Sequence, residues 1–96
     1  MYRMFYYCES LTSLDLSGWD TSNVTDMTAV FQNCRALTYL DLSGWNTSKV
    51  NVMVAMFFYC SSLKTIRMVG CSQTTIDKIK AQLSDDGITE CTIVTK

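Results

Sequence analysis

The chain has 96 residues, 48% of them hydrophobic and 18% charged, with five cysteines, no histidine and a formal net charge of −1. A chain of this length leaves room for one small domain and not for a second. Its scattered, nearly balanced charges exclude the basic footprint of a nucleic-acid-binding protein, and its longest apolar run, residues 52–59, is too short to cross a bilayer.

The sequence repeats itself at a shift of 26 residues. The recurring residues include Phe5, Phe31 and Phe57; Cys8, Cys34 and Cys60; Leu11, Leu37 and Leu63; and Gly18, Gly44 and Gly70. A fixed period of this length is typical of stacked supersecondary units, none of which can bury its apolar side alone. We therefore expect one domain over residues 1–96. It would comprise the end of a truncated repeat (1–4), two repeats (5–30 and 31–56), a degenerate repeat with a longer helix (57–83), and a terminal strand and cap (84–96).

Within each repeat the spacing L-x-x-L-x-L predicts a short strand that is buried on one side and solvated on the other. A fourth, final strand is expected at the C-terminal end, where Ile88, Cys91 and Ile93 repeat this spacing at a shift of 25. Parallel stacking would align the outward side chains into ladders. One ladder would hold Ser13, Tyr39, Thr65 and Glu90, and another Asp15, Asp41, Arg67 and Thr92.

Each strand is followed by a glycine turn and by side chains suited to capping a helix. Apolar residues then recur at steps of three, three and one, which predicts short helices with Val24, Met27, Val30 and Phe31 on one and Val50, Met53, Met56 and Phe57 on the next. In the third repeat a longer helix is expected around Ile76, Ile79 and Leu83, with Gly87 ending it. The predicted fold class is α/β: a right-handed leucine-rich-repeat-type solenoid of about four coils of 26 residues. Its parallel sheet would lie on the concave side and its short helices on the convex side.

The pattern F-x-x-C-x-x-L-x-x-L-x-L-S-G-W-(D/N)-T-S-x-V, at residues 5–24 and 31–50, resembles the BspA-like leucine-rich-repeat surface proteins of bacteria. The resemblance covers nearly the whole chain. It is weaker in the third repeat, where Cys71 stands in place of Trp19 and Trp45, and this suits a C-terminal end. It implies a secreted or cell-surface protein with many such repeats, of a kind often associated with adhesion to host proteins or to other cells.

The three repeated cysteines, Cys8, Cys34 and Cys60, would form a ladder with rungs about 5 Å apart, close enough for a disulfide on distance alone. Side chains in register are parallel, which is poor disulfide geometry, so we favour free buried thiols. With no C-x-x-C pair and no histidine, a zinc site is not expected. Cys71 and Cys91 are interpreted as core substitutions.

Two further pairs have alternative interpretations. Trp19 and Trp45 either pack the turn or form an aromatic platform for a sugar or peptide, and packing is favoured because large aromatic residues that recur with a repeat are usually core. Asp15 and Asp41 would lie side by side, as in a calcium site or a glycosidic carboxylate pair. We favour a solvated acidic step beside Arg67, because no further carboxylates converge there.

The chemistry-bearing residues point to binding and not to catalysis. Without histidine or a glycine-rich phosphate loop, we expect no enzyme, no catalytic residue, no metal and no cofactor. The expected binding site is the concave face: Ser13, Asp15, Tyr39, Asp41, Thr65 and Arg67. The expected partner is a protein or glycan at a host or cell surface; the alternative is a spacer without a ligand. Because the first strand would have an open edge, we also expect end-to-end self-association through the N-terminal coil.

Overall fold

The computed structural model describes residues 1–96. Its elements are three strands, β1 (Ser13–Asp15), β2 (Tyr39–Asp41) and β3 (Thr65–Arg67), then helix α1 (Gln73–Asp85) and strand β4 (Thr92–Val94). The strands form one parallel sheet in the order of the chain, β1-β2-β3-β4. The parallel sheet expected from the leucine spacing is therefore confirmed. Helix α1 lacks the length and apolar character that a membrane-spanning helix needs.

The register of the first three strands follows the repeat, with Leu14 beside Leu40 and Leu40 beside Ile66. The register expected for the fourth strand is wrong. Thr65 pairs with Thr92, not with Glu90, which lies before the strand. The connection from β3 to β4 contains a full helix, whereas the earlier connections consist of turns. The number of residues between paired strand positions therefore changes there.

The predicted four-coil leucine-rich-repeat-type solenoid is wrong. Of the helices expected on the convex side, only α1 forms, and the segments from Val24 to Phe31 and from Val50 to Phe57 are turns with one isolated bridge, Asp26 to Val52. The molecule measures 28 × 27 × 24 Å, which is a compact unit and not an arc.

The backbone explains why these helices do not form. The N–H groups of Met27, Ala29 and Phe31 donate to Val52, Val54 and Met56 at 2.8–3.0 Å, across to the next repeat and not back along their own segment. Residues with left-handed backbone recur at two positions of each repeat: Arg3, Ala29 and Ala55, and Tyr7, Asn33 and Tyr59. A left-handed residue interrupts a right-handed helix, so each apolar stripe forms turns.

We call residues 1–8, 27–34 and 53–60 the turn wall, because backbone hydrogen bonds join these three segments side by side. The core lies between the sheet and the turn wall: one cluster contains Leu40 and Ile66 from the strands and Phe31 and Phe57 from the wall. The rings of Phe5, Phe31 and Phe57 stack with centroids 5.7 Å apart at each step.

The helix expected in the third repeat is confirmed. The side chain of Ser72 caps α1 by accepting the N–H of Thr75, and Ile76, Ile79 and Leu83 are buried. After the helix, Gly87 has φ +78 and its N–H donates to Ser84, an arrangement typical of a helix that ends at a glycine.

Candidate functional site

The sheet brings together all six residues predicted for the binding face. Ser13, Tyr39 and Thr65 are in register across β1, β2 and β3, and so are Asp15, Asp41 and Arg67. Their accessibility differs: Ser13, Asp15 and Tyr39 are exposed, Thr65 and Arg67 are half-buried, and Asp41 is buried. Direct contact with a ligand is therefore open to five of the six.

Asp41 is engaged by its own neighbours. Its Oδ2 accepts from Nη1 of Arg67 at 3.2 Å, and its Oδ1 accepts the backbone N–H of Ser43 at 3.0 Å. Burial alone would raise the pKa of Asp41, but the hydrogen bonds from Ser43 and the charge of Arg67 hold it below its usual value. Asp41 thus holds the Arg67 guanidinium in place, while the Arg67 side chain remains 42% exposed.

Asp15 accepts the equivalent backbone hydrogen bond one repeat earlier, in the turn that follows β1. Its Oδ1 accepts the N–H of Ser17 at 2.9 Å, and this hydrogen bond lowers the pKa of Asp15 although the nearby charge of Asp41 opposes the shift. An aspartate at the end of a strand that accepts an N–H two residues later is a common turn device. No group of three or more metal-ligating side chains comes together on this face or elsewhere.

The face offers contacts and not a cavity. Two cavities, of about 300 and 260 Å³, lie at the C-terminal end, and Ile88 and Thr89 line both of them. None of the six predicted residues lines either of them. What the face presents is a tyrosine ring, an ordered guanidinium, a carboxylate and hydroxyl groups, which can bind a partner through stacking, ion pairing and hydrogen bonds.

The comparisons with known proteins identify the family. The family model described as "Mycoplasma protein of unknown function, DUF285" matches residues 1–80. The chain belongs to this family. DUF285 is a surface-associated repeat family, which agrees with the expected bacterial surface protein at that level. No curated protein and no solved structure matches the chain.

The cysteines of this DUF285 chain are all free, as expected for a ladder of thiols. Cys34 donates to the carbonyl oxygen of Phe5 at 3.1 Å, and Cys60 donates to that of Phe31 at 2.9 Å. Burial raises the pKa of Cys34 to about 11 and that of Cys60 to about 12. Both thiols are therefore protonated at neutral pH and act as small packing groups.

The two tryptophans of the DUF285 repeats have different environments. Trp45 is 2% exposed and its Nε1 donates to the carbonyl of Leu16 at 3.0 Å, so packing is confirmed there. Trp19 is 42% exposed and its indole N–H has no partner in the chain. A platform of two stacked tryptophans is therefore absent.

Sequence reasoning missed the outer surface of the turn wall. Phe58 is 38% exposed, and Tyr7 and Tyr59 are each 50% exposed. These three residues occupy positions where the repeat does not keep one residue type, since the middle repeat has Gln32 and Asn33 there. This variation between repeats was the sequence feature that could have indicated exposed side chains at these positions.

Proposed function

We propose that this DUF285 chain is a non-enzymatic binding module of a bacterial surface protein, which recognises protein or glycan through the outward face of its sheet. The observation that carries the proposal is the pair formed by Arg67 and Asp41. Asp41 uses one carboxylate oxygen to order a guanidinium that stays 42% exposed, one strand away from Tyr39. An ordered arginine beside an exposed aromatic ring is typical of residues that dominate binding energy in protein interfaces.

Variation between repeats also supports this proposal. A binding face differs in its outward residues from strand to strand, whereas a spacer repeats them. Ser13 is replaced by Tyr39 and then Thr65, and the third strand has Arg67 where the earlier ones have aspartate. The family's association with the surface agrees with display outside the cell, where protein and glycan partners are available.

The second candidate function is a spacer that projects another domain. Asp15 and Asp41 favour it, because both cap the turn that follows their strand, and this accounts for their recurrence without a ligand. In that case the outward residues matter for solubility alone.

The deciding experiment is a binding screen of the folded chain against immobilised extracellular-matrix proteins and glycans. The test variant combines Tyr39→Ser with Arg67→Lys, since lysine keeps a positive charge beside Asp41 but lacks the planar fork that pairs with carboxylates. The matched control combines Tyr2→Ser with Arg3→Gln, an exposed tyrosine and arginine on the turn wall.

We expect saturable binding that falls at least tenfold in the test variant and stays unchanged in the control, with equal melting temperatures. A well-folded chain that binds nothing in the screen supports the spacer. Binding that both variants retain places the ligand away from the sheet face and contradicts the proposal.

A further inference from the structure

The C-terminal end of the molecule has a groove between helix α1 and strand β4. The larger cavity, of about 300 Å³, lies in this groove, and its apolar lining comes from Leu83 on the helix, Ile93 on the strand, and Ile88 and Cys91 in the segment between them. This volume is at the lower limit of small-molecule sites, which span about 300–1,000 Å³, and it suits a single apolar side chain. No residue of β1 lines either cavity, so the opposite edge of the sheet has no equivalent groove.

Strand β4 is an edge of the sheet, and part of its backbone is free on the outer side. The N–H of Thr92 donates to Lys64 and the carbonyl of Val94 accepts from Met68, so both residues are bonded to β3. Alternate residues of a strand in a parallel sheet bond to opposite neighbours, which leaves the N–H and C=O of Ile93 without a partner strand. An extended segment added at a sheet edge pairs with such free groups.

The side chain of Ile93 is the last member of an apolar ladder that runs through the sheet. Leu14, Leu40, Ile66 and Ile93 are in register across the four strands. Leu40 and Ile66 have strands on both sides and are 0% exposed, whereas Ile93 has a strand on one side only and is half-buried. An apolar residue that a fifth strand placed beside Ile93 would cover the cavity and extend the core by one step.

A cation without a counter-charge lies at the rim of the groove. Lys80 lines the larger cavity, is exposed and forms no salt bridge, whereas Glu90 lines the other cavity together with Lys64. Because α1 returns between two parallel strands, it runs antiparallel to β4, and Lys80 lies nearer the C-terminal end of that strand than Leu83 does. In an added parallel strand, a carboxylate two positions after the apolar residue points to the same side and meets this ammonium group.

We propose that the groove between α1 and β4 binds an extended peptide segment as a fifth parallel strand, with an apolar residue in register with Ile93 and a carboxylate two residues later that pairs with Lys80. The peptide backbone pairs with the free N–H and C=O of Ile93, which a small molecule that only fills the cavity leaves unpaired. This groove is separate from the outward face of the sheet.

The β1 edge of a second copy fits this groove less well than a free segment does, because β1 is joined to residues 1–8 of the turn wall. In the wall, the carbonyl groups of Val30 and Gln32 accept N–H groups from the preceding segment, and those of Met4 and Tyr6 are the equivalent acceptors of the first segment. Stacked on α1, they would meet a helix whose N–H groups beyond the first turn are bonded within it. They would lose water without gaining a donor, a cost that a free segment avoids.

The test is a nuclear magnetic resonance titration of the full chain with the acetylated and amidated peptide Ser-Thr-Leu-Thr-Glu-Ser. With its leucine beside Ile93, the N–H of the following threonine donates to the carbonyl of Ile93, whereas the N–H of the leucine itself points away from β4. One comparison peptide is therefore N-methylated at that threonine, and its matched control is N-methylated at the leucine. Two further peptides replace the leucine with serine or the glutamate with glutamine.

Two pairs of protein variants test the groove itself. Lys80→Gln removes the charge at the rim, and its control is Lys49→Gln, which changes an exposed lysine that lines neither cavity. Ser84→Leu places a larger side chain in the lining of the cavity, and its control is Ala81→Leu, at an exposed position of the same helix that lines neither cavity. Melting temperatures verify folding.

We expect saturable binding of the unmodified peptide, together with slower hydrogen exchange of the Ile93 amide. Affinity should fall about tenfold for the peptide methylated at threonine, for the serine and glutamine peptides, and in Lys80→Gln and Ser84→Leu, because each loses a hydrogen bond, a charge pair or an apolar contact. The leucine-methylated peptide, Lys49→Gln and Ala81→Leu should retain the affinity.

The proposal is overturned if the unmodified peptide does not bind, if the two methylated peptides bind equally well, or if Lys80→Gln leaves the affinity unchanged. Equal binding by Ser84→Leu and Ala81→Leu would place the peptide outside the cavity and would also overturn it. Protection of the Ile93 amide that rises with protein concentration in the absence of peptide would assign the groove to a second copy, which contradicts the proposed occupant.

Discussion

Asp86 accepts the backbone N–H of Phe57 through its Oδ2 at 2.9 Å. In the two preceding repeats the equivalent N–H groups, those of Phe5 and Phe31, donate to backbone carbonyls of the next segment, Val30 and Met56. In the next unit the equivalent segment is helix α1, which supplies no such carbonyl. A side-chain carboxylate at the end of α1 thus replaces the backbone oxygen as the acceptor and completes the hydrogen bonds of the turn wall.

From this contact we predict that Asp86→Ala lowers the free energy of unfolding by about 1–3 kcal/mol, because it leaves a backbone N–H of a buried residue without a partner. Asp86→Asn keeps an acceptor oxygen and should cost less. Asp85, which is exposed and makes no side-chain hydrogen bond, provides the control Asp85→Ala. Urea denaturation measures all three, and equal stability of Asp86→Ala and Asp85→Ala would contradict the capping role.

The tryptophans provide a matched pair for the packing argument. Trp45→Phe removes an indole that is 2% exposed together with its hydrogen bond to Leu16, so we expect a loss of roughly 1–3 kcal/mol in the free energy of unfolding. Trp19→Phe changes a residue that is 42% exposed and should cost under about 1 kcal/mol. Thermal denaturation compares them. The packing interpretation fails if the two changes cost the same.

Thiol reactivity should separate the cysteines in the folded chain. Cys34 and Cys60 are fully buried with pKa values of about 11 and 12, whereas Cys8 and Cys71 are half-buried. At pH 8 a thiol reagent should therefore label Cys8 and Cys71 first and modify Cys34 and Cys60 only as the chain unfolds. Mass spectrometry of peptides after timed labelling identifies the sites, and early labelling of Cys34 would be evidence against this burial.

The same thiols make stability depend on alkaline pH. Their pKa values in the folded state lie above the ordinary value of 9.0, so the unfolded state loses these protons first as the pH rises. The stability they contribute is fully present below pH 9 and is lost as the pH rises toward 11 and 12. We expect Cys60→Ala to flatten this decline between pH 9 and 11, as measured by denaturation at each pH.

The aspartate carboxylates make stability depend on acidic pH. The pKa of Asp41 lies below its ordinary value of 3.8, so its contribution is present above that pH and is lost as the pH falls through the folded value. Arg67→Gln should raise the pKa of Asp41, because it removes one hydrogen bond and one positive charge. Carbon-13 NMR titration of the carboxyl groups measures this. Asp15 is the internal control, since its pKa is lowered mainly by Ser17 and should move less.

Self-association through the N-terminal end remains a prediction. Strand β1 has a neighbour on one side only, and unpaired strand edges promote pairing between molecules. We expect the mass measured by light scattering to rise with protein concentration and Ser13→Lys to suppress the rise. Because β4 is the other edge strand, Thr92→Lys distinguishes the two ways of pairing: it leaves the rise intact if two N-terminal ends associate and suppresses it if β1 pairs with β4. A constant monomer mass at the highest soluble concentration would contradict this prediction.

Much of this fold was determined by the sequence itself. Alternation of apolar and polar residues is a local property with a period of two, so the spacing around Leu14, Leu40 and Ile66 predicted the strands and their parallel register. The capped, amphipathic pattern around Ile76, Ile79 and Leu83 was equally local and predicted α1. Placing Tyr39 and Arg67 on one face required only the period and the pairing.

The tertiary structure decided the rest, because the deciding partners are distant in the chain. An apolar stripe such as Met27, Val30 and Phe31 fits a helix or a series of inward-facing turns equally well. The outcome depended on N–H groups that bond to carbonyls 25 residues later. The same holds for the register of β4, for the burial of Asp41 under Arg67, and for the exposure of Tyr7 and Tyr59. In each case a contact between repeats, which no local pattern encodes, selects one of two arrangements that the residues themselves allow.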